Sequence, residues 1–201
     1  MKYPKTLEEL IQYLKLLPGI GEKNAERLAL FLLNNFDEEQ LLNLSNILQN
    51  LKSNIKHCKK CNNLTEGSDY CVICNDKNRN SEVLCVVENV KNLMSFEKAN
   101  VFNGYYHILG GLISPLDGIN PEDISINQLI NRIKSDNIKE VILALNPNIE
   151  GDTTSLYILK LLEGLDVSVT KIAAGIPVDA DMDYLDPITI QRAMEGRNKI
   201  S

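Results

Sequence analysis

The pattern Cys58-x2-Cys61-x9-Cys71-x2-Cys74 constrains this chain more than any other feature. Two C-x-x-C knuckles supply four thiolates, enough to close a tetrahedral shell around zinc. A shell closed by protein ligands leaves no open position, so such a metal stabilises a small module and catalyses nothing. The nine-residue middle spacer makes the clip a compact one. His57 adjoins the first ligand, and with four cysteines available it reads as a neighbour. The fifth cysteine, Cys85, lies in the apolar run Val83-Leu84-Cys85-Val86-Val87 and reads as a packed core thiol. The segment from Met1 to Glu9 reads as the lead-in to a helix and lacks the apolar core of a signal peptide. The longest apolar runs, such as Leu28 to Leu33, fall short of the roughly 20 residues a membrane span needs. A cytoplasmic protein with no membrane partner is therefore expected, where cysteines serve as metal ligands more often than as disulfides.

The cysteines also divide the chain, whose 201 residues suffice for two or three small modules. Before them the pattern is helical. Leu7, Leu10, Ile11 and Leu14 recur at helical spacing over residues 6–16, behind Thr6 as N-cap with Glu9 three residues on. A second helix over 22–34 aligns Ala25, Leu28, Ala29 and Leu32, and a third over 37–55 carries Leu41, Leu42, Leu44, Ile47, Leu48 and Leu51. After Ser81 strands and helices alternate. Strands are expected over 83–87, 105–109, 140–145 and 167–172, with helices over 90–99, 124–135 and 153–163. That alternation indicates an α/β domain with a mostly parallel sheet. The expected organisation is residues 1–55 helical, 56–80 the cysteine module, 81–174 the α/β domain and 175–201 a tail.

The net charge of −6 argues at first against a nucleic-acid partner, whose footprint is usually basic. The charge is uneven, however: residues 1–80 sum to +1 and residues 81–201 to −7. Within the front half, Leu17-Pro18-Gly19-Ile20-Gly21 joins two helices. A turn built on Gly19 and Gly21 that opens a helix aims bare N–H groups at one spot, suited to a phosphate. Lys23 and Arg27 share one face of the new helix and can add two phosphate contacts. An ordinary helical hairpin with a solvated charged face explains the same residues, and Glu22 and Glu26 offset the two charges. Lys52, Lys56, Lys59 and Lys60 form a second basic run, which a solvated helix end explains as well.

In the back half, Glu88 follows the first strand and Asn146-Pro147-Asn148-Ile149-Glu150-Gly151-Asp152 follows the third. Carboxyl ends of parallel strands are where functional groups sit. A Glu there facing an Asp-x-Asp would hold Mg²⁺ for phosphoryl transfer. Asn146 and Asn148 occupy the paired positions, and neutral amides give the ion no charge neutralisation; Glu150 and Asp152 leave a weak site open.

In this order the pieces resemble the RecR family of bacterial recombination mediators. The resemblance runs nearly end to end. It rests on Leu17-Pro18-Gly19-Ile20-Gly21-Glu22-Lys23-Asn24-Ala25-Glu26-Arg27-Leu28-Ala29, on His57-Cys58 through Cys74, on Leu84-Cys85-Val86-Val87-Glu88 and on Ser114-Pro115-Leu116-Asp117-Gly118. Asn146-Pro147, Glu150-Gly151, Gly175-Ile176-Pro177-Val178 and Glu195-Gly196-Arg197 complete it. It implies a helix-hairpin-helix, a four-cysteine zinc finger, a Toprim domain and a C-terminal tail exchanged between subunits from about residue 175. It further implies a non-catalytic DNA clamp, a tetrameric ring, that acts with RecO and RecF to load RecA onto gapped DNA coated with single-strand-binding protein. Lys23 and Arg27 fall on the family's DNA-contacting positions and Glu150 where the family engages RecO. The rival is a magnesium-dependent Toprim nuclease or primase-like enzyme using Glu88; a protein-interaction module without a DNA role is a third reading. One departure stands out: where the family usually has two glycines after Gly-x-Pro-Val, this chain has Asp179-Ala180, which take left-handed backbone angles less cheaply.

Overall fold

The computed structural model describes residues 3–197, in two compact units that divide between Asn54 and Ile55. The first unit is helical: α1 (Lys5–Lys15), α2 (Glu22–Asn35) and α3 (Glu38–Asn54). Ile11 of α1 packs with Ala25 and Ala29 of α2, and Leu7, Leu10, Leu14 and Ile20 close around them. Small residues on α2 let the two helices approach, as the spacing predicts. Thr6 is not the N-cap. Pro4 occupies that position, its carbonyl accepting from the Leu7 and Glu8 N–H groups at 2.9 and 3.1 Å. The fixed φ of proline suits a helix entry, and the helix begins before Thr6 can cap it. At α3 a reciprocal cap does form: the Gln40 N–H reaches Asp37 Oδ1 at 2.8 Å, and the Asp37 N–H reaches Gln40 Oε1 at 3.1 Å. No residue of α3 is buried; Leu41, Leu42, Ile47, Leu48 and Leu51 are all exposed.

The second unit begins with the cysteine module: β1 (Ile55–His57) pairs antiparallel with β2 (Leu64–Glu66), and α4 (Val72–Asn75) follows. Beyond it lies a four-stranded parallel sheet of β3 (Asn80–Val87), β4 (Gly104–Ile108), β5 (Glu140–Ala144) and β6 (Ser168–Lys171), in the order β4-β3-β5-β6. The helices are α5 (Val90–Ala99), α6 (Ile126–Ser135) and α7 (Ile149–Leu162), and α8 (Pro187–Glu195) lies in the tail. In β3, Leu84 and Val86 face one core and Cys85 and Val87 the other, the two-residue period of a strand covered on both sides. Leu129 and Ile133 of α6 with Ile158 and Leu162 of α7 cover the first face. Leu93 of α5 and the cysteine module cover the second.

Beyond β1, β2 and α4, which the sequence reading did not resolve within the cysteine module, and the earlier start of β3 at Asn80, two helices depart from that reading. α7 starts at Ile149 rather than 153, because the Asn148 side chain accepts the Gly151 N–H at 2.9 Å and caps the helix there. α8 has no counterpart in that reading, although Asp186 caps it through the Ile188 and Thr189 N–H groups and Pro187 opens it.

Candidate metal centre and nucleic-acid interface

The sulfurs of Cys58, Cys61, Cys71 and Cys74 all lie within 4.8 Å of one another. A tetrahedron with Zn–S bonds of about 2.3 Å has edges of about 3.8 Å, so the donor set fits zinc. Cys61 and Cys71 are 3.5 Å apart. Hydrogen bonding from Cys61 pulls the Cys71 thiol down, toward the thiolate a metal needs, while the same bond pushes Cys61 up. His57 is exposed, with Nδ1 3.0 Å from the Asn62 carbonyl, and it is not part of the sulfur cluster. Cys85 is buried in the sheet, and burial pushes its thiol up to about 12, as a packed core thiol requires.

The module is joined to the sheet by specific bonds. The Ile108 N–H donates to the Cys61 carbonyl at 2.9 Å, and the Asn62 amide donates back to the Ile108 carbonyl at 3.2 Å. Tyr105 Oη donates to the Asp76 carbonyl at 2.8 Å and Gln128 Nε2 to the Lys59 carbonyl at 2.7 Å. Cys58, Cys61 and Cys71 share one apolar cluster with Val87, Tyr106 and Ile108. A metal held by these sulfurs thus stabilises the edge of the α/β sheet as well as the module itself.

In the hairpin, the Ile20 N–H closes a turn on the Leu17 carbonyl at 3.1 Å, with Pro18 second and Gly19 third at φ +80. That is the backbone of a type II turn, and Gly19 supplies the left-handed residue it requires. Gly21 caps α2 at φ −81 without a side-chain acceptor, and the first helical bond runs from the Ala25 N–H to the Gly21 carbonyl. The preceding N–H groups of the first turn therefore point outward, ready for an anion. Lys23 and Arg27 are exposed, and among the described residues neither joins an ion pair. The two carboxylates beside them are engaged elsewhere: Glu22 lies 3.7 Å from Lys15, and Glu26 accepts a hydrogen bond from Tyr3. Of the second basic run, Lys59 pairs with Asp69 at 2.7 Å and Lys60 with Asp136 at 2.9 Å.

Glu88 and Asn146 follow β3 and β5, the two central strands between which the strand order reverses. This is the topological switch point of an open parallel sheet. The structure brings them together: Asn146 Nδ2 donates to Glu88 Oε2 at 2.6 Å. Asn148 spends its side-chain oxygen on the α7 cap. Gly151 follows, and a Cβ there would collide with the Asn146 carbonyl, so the loop demands glycine. Glu150 is half-buried in the first turn of α7. Asp152 is bound by Lys171 at 2.5 Å and by Arg192 of α8 at 3.0 Å, and the Lys171 hydrogen bond holds its carboxyl below the usual range. The sequence reading missed the Lys171–Asp152–Arg192 cluster, since no spacing rule links three residues on β6, α7 and the tail.

Together these features define a class: a zinc-stapled chain that joins a helical hairpin module to a Toprim-type α/β domain. Residues 7–52 match the family model described as RecR, helix-hairpin-helix, and residues 55–76 match that of the RecR four-cysteine zinc finger domain. Residues 82–173 match the Toprim domain and residues 175–198 match RecR, C-terminal. The chain is 46% identical over 198 residues to the recombination protein RecR of Clostridium perfringens, covering 98% of each chain. It is equally similar, at 46% over 198 residues and 98% of each, to that of Pelotomaculum thermopropionicum. The chain belongs to the RecR family of recombination proteins. Its cysteine cluster is the family's structural zinc site. No helix among the described residues is long and apolar enough to cross a membrane.

Proposed function

We propose that this chain is a non-catalytic DNA clamp and adaptor in recombinational repair. It acts in the cytoplasm with RecO and RecF to load RecA onto gapped DNA coated with single-strand-binding protein. The observation that carries the DNA role is the exposed pair Lys23 and Arg27, unpaired among the described residues while Glu22 and Glu26 are engaged elsewhere. They sit on the first two turns of α2, which opens at Gly21 and whose N–H groups before Ala25 have no helical partner, a sequence-independent phosphate site.

Residues 1–55 hold DNA in this reading, 56–80 staple, 81–174 carry the partner surface, and 175–201 exchange between subunits. The bare apolar side of α3 and the exposed Val178, Tyr184, Ile188 and Met194 support assembly into a ring, which would bury them. Glu150, in the first turn of α7 within the acidic half of the chain, is the RecO contact. The magnesium-dependent alternative draws no support from Glu88, whose carboxylate accepts the Asn146 amide where a metal site would need a second carboxylate.

The test is the variant Lys23→Ala with Arg27→Ala, measured by fluorescence anisotropy on duplex and gapped DNA across a salt series. Each lost phosphate contact should reduce the slope of log K against log salt by about 0.9 on duplex. Affinity and slope equal to the parent's would remove the hairpin from the DNA interface.

A further inference from the structure

The cleft between the zinc module and α6 has the makings of a second nucleic-acid contact. It encloses about 640 Å³, within the roughly 300–1,000 Å³ range of ligand clefts. Lys59, Lys60 and Tyr70 line it from the zinc module, and Asn131, Arg132 and Asp136 line it from α6. Three cations, Lys59, Lys60 and Arg132, thus stand against two carboxylates, Asp136 in the cleft and Asp69 at its rim.

Arg132 is the fixed element. Its side chain is only 4% exposed, Nη1 donates to the Tyr106 carbonyl at 2.6 Å, and Nε lies 3.4 Å from Asp136. Its Nη2 is buried without a hydrogen-bond partner, and its guanidinium lies 5.9 Å from the Tyr105 ring centroid. Lys60 also lies over that ring, at 5.7 Å, and bonds Asp136. The guanidinium therefore leaves positive charge at the base of the cleft that the single Asp136 carboxylate, shared with Lys60, does not cancel. At the rim, the Lys59–Asp69 pair is two-thirds exposed on each side, a contact weak enough to give way to a phosphate. Tyr70 is about half exposed and stacks on no other ring among the described residues. Basic side chains beside an unstacked aromatic ring are the elements of a single-strand platform, where the cations follow the backbone and the ring takes a base.

We propose that this cleft binds a single-stranded nucleic-acid segment, with a backbone phosphate at Lys59 and Lys60 and a base against Tyr70. The inference rests on the DNA reading above but uses different residues, so the two can fail separately. The experiment titrates fluorescein-labelled oligothymidylate into the zinc-loaded full chain. The arms are Tyr70→Ala, Tyr70→Phe, Lys59→Ala with Lys60→Ala, and Lys23→Ala with Arg27→Ala, with thymidine monophosphate and inorganic phosphate as competitors.

Tyr70→Ala should weaken binding about five-fold or more and Tyr70→Phe should retain it, since stacking needs only the ring. The double lysine variant should lower the single-strand salt slope by about 0.7 per contact. Tyr70 makes no ion pair, so the Ala–Phe contrast decides the matter even if the lysine variant folds poorly. Loss in the Tyr70→Ala arm with normal binding in the Lys23–Arg27 arm supports the cleft, and the hairpin is judged separately on duplex and gapped DNA. The reverse pattern, or parent-like binding in every arm, overturns the cleft. Full displacement by submillimolar monophosphate or inorganic phosphate overturns the strand proposal, because the cleft would then be a small-anion site.

Discussion

The pH dependence of stability should be governed in part by one buried imidazole, His107. It is fully buried in β4. Ser125 Oγ donates to the Ile108 carbonyl at 2.6 Å, so its lone pairs accept from His107 Nε2 at 3.1 Å. The ring proton therefore sits on Nε2, and Nδ1 is left buried without a partner. Burial, with Arg132 adding repulsion, pushes the ring down to about 4 from 6.5. The folded state thus holds fewer protons than the unfolded chain between those values. Stability is complete above about pH 6.5, and acidification toward pH 4 removes it. The full span corresponds to about 3.4 kcal/mol at 1.36 kcal/mol per unit, and at pH 5.5 the loss is about 1.4 kcal/mol.

Urea unfolding of the zinc-loaded protein between pH 7.5 and 5.5 tests this, in parallel with His107→Gln, which keeps a neutral donor. The parent should lose about 1.4 kcal/mol more than the variant across that interval. The range stops at pH 5.5 because further acid protonates the metal thiolates and adds a second loss. The chain has two histidines, His57 and His107, and His57 is exposed, so an NMR titration separates them readily. A folded-state His107 titrating near 6.5, or equal pH slopes in parent and variant, would refute the reasoning.

Three further perturbations follow from the geometry. Stripping the metal with a chelator should unfold the cysteine module and raise hydrogen exchange at Ile108, whose N–H bonds the Cys61 carbonyl, ahead of exchange in β5. Asp179→Gly should stabilise the chain by about 1 kcal/mol in thermal unfolding. Asp179 sits at φ +64, third in a turn closed by the Ala180 N–H on the Pro177 carbonyl, where glycine carries no Cβ penalty. Gly151→Ala should cost about 1–3 kcal/mol, since its methyl group meets the Asn146 carbonyl; an unchanged melting temperature would show that the loop after β5 yields freely.

The sequence by itself determined what depends on local pattern. Four cysteines at fixed spacing define a metal module, and the β-branched run ending at Val87 defines a strand buried on both faces. Pro18 and Gly19 define a turn, because only certain residues adopt its backbone. Of the two positions where the family usually has glycine, Asp179 is left-handed and Ala180 is not, so the expected backbone cost falls on the first alone. Local pattern could not say which partner a charge would choose. Glu22 and Glu26 look in sequence like counter-charges to Lys23 and Arg27, yet Lys15 and Tyr3 engage them. Asp152 looks like a spare metal ligand until Lys171 and Arg192 reach it from β6 and α8. Glu88 and Asn146 are 58 positions apart and meet only because their strands are neighbours. Turns, caps and strand faces arise from contacts a few residues long. Pairing among charges is settled by whichever groups the tertiary fold brings within about 4 Å, and no spacing along the chain encodes that.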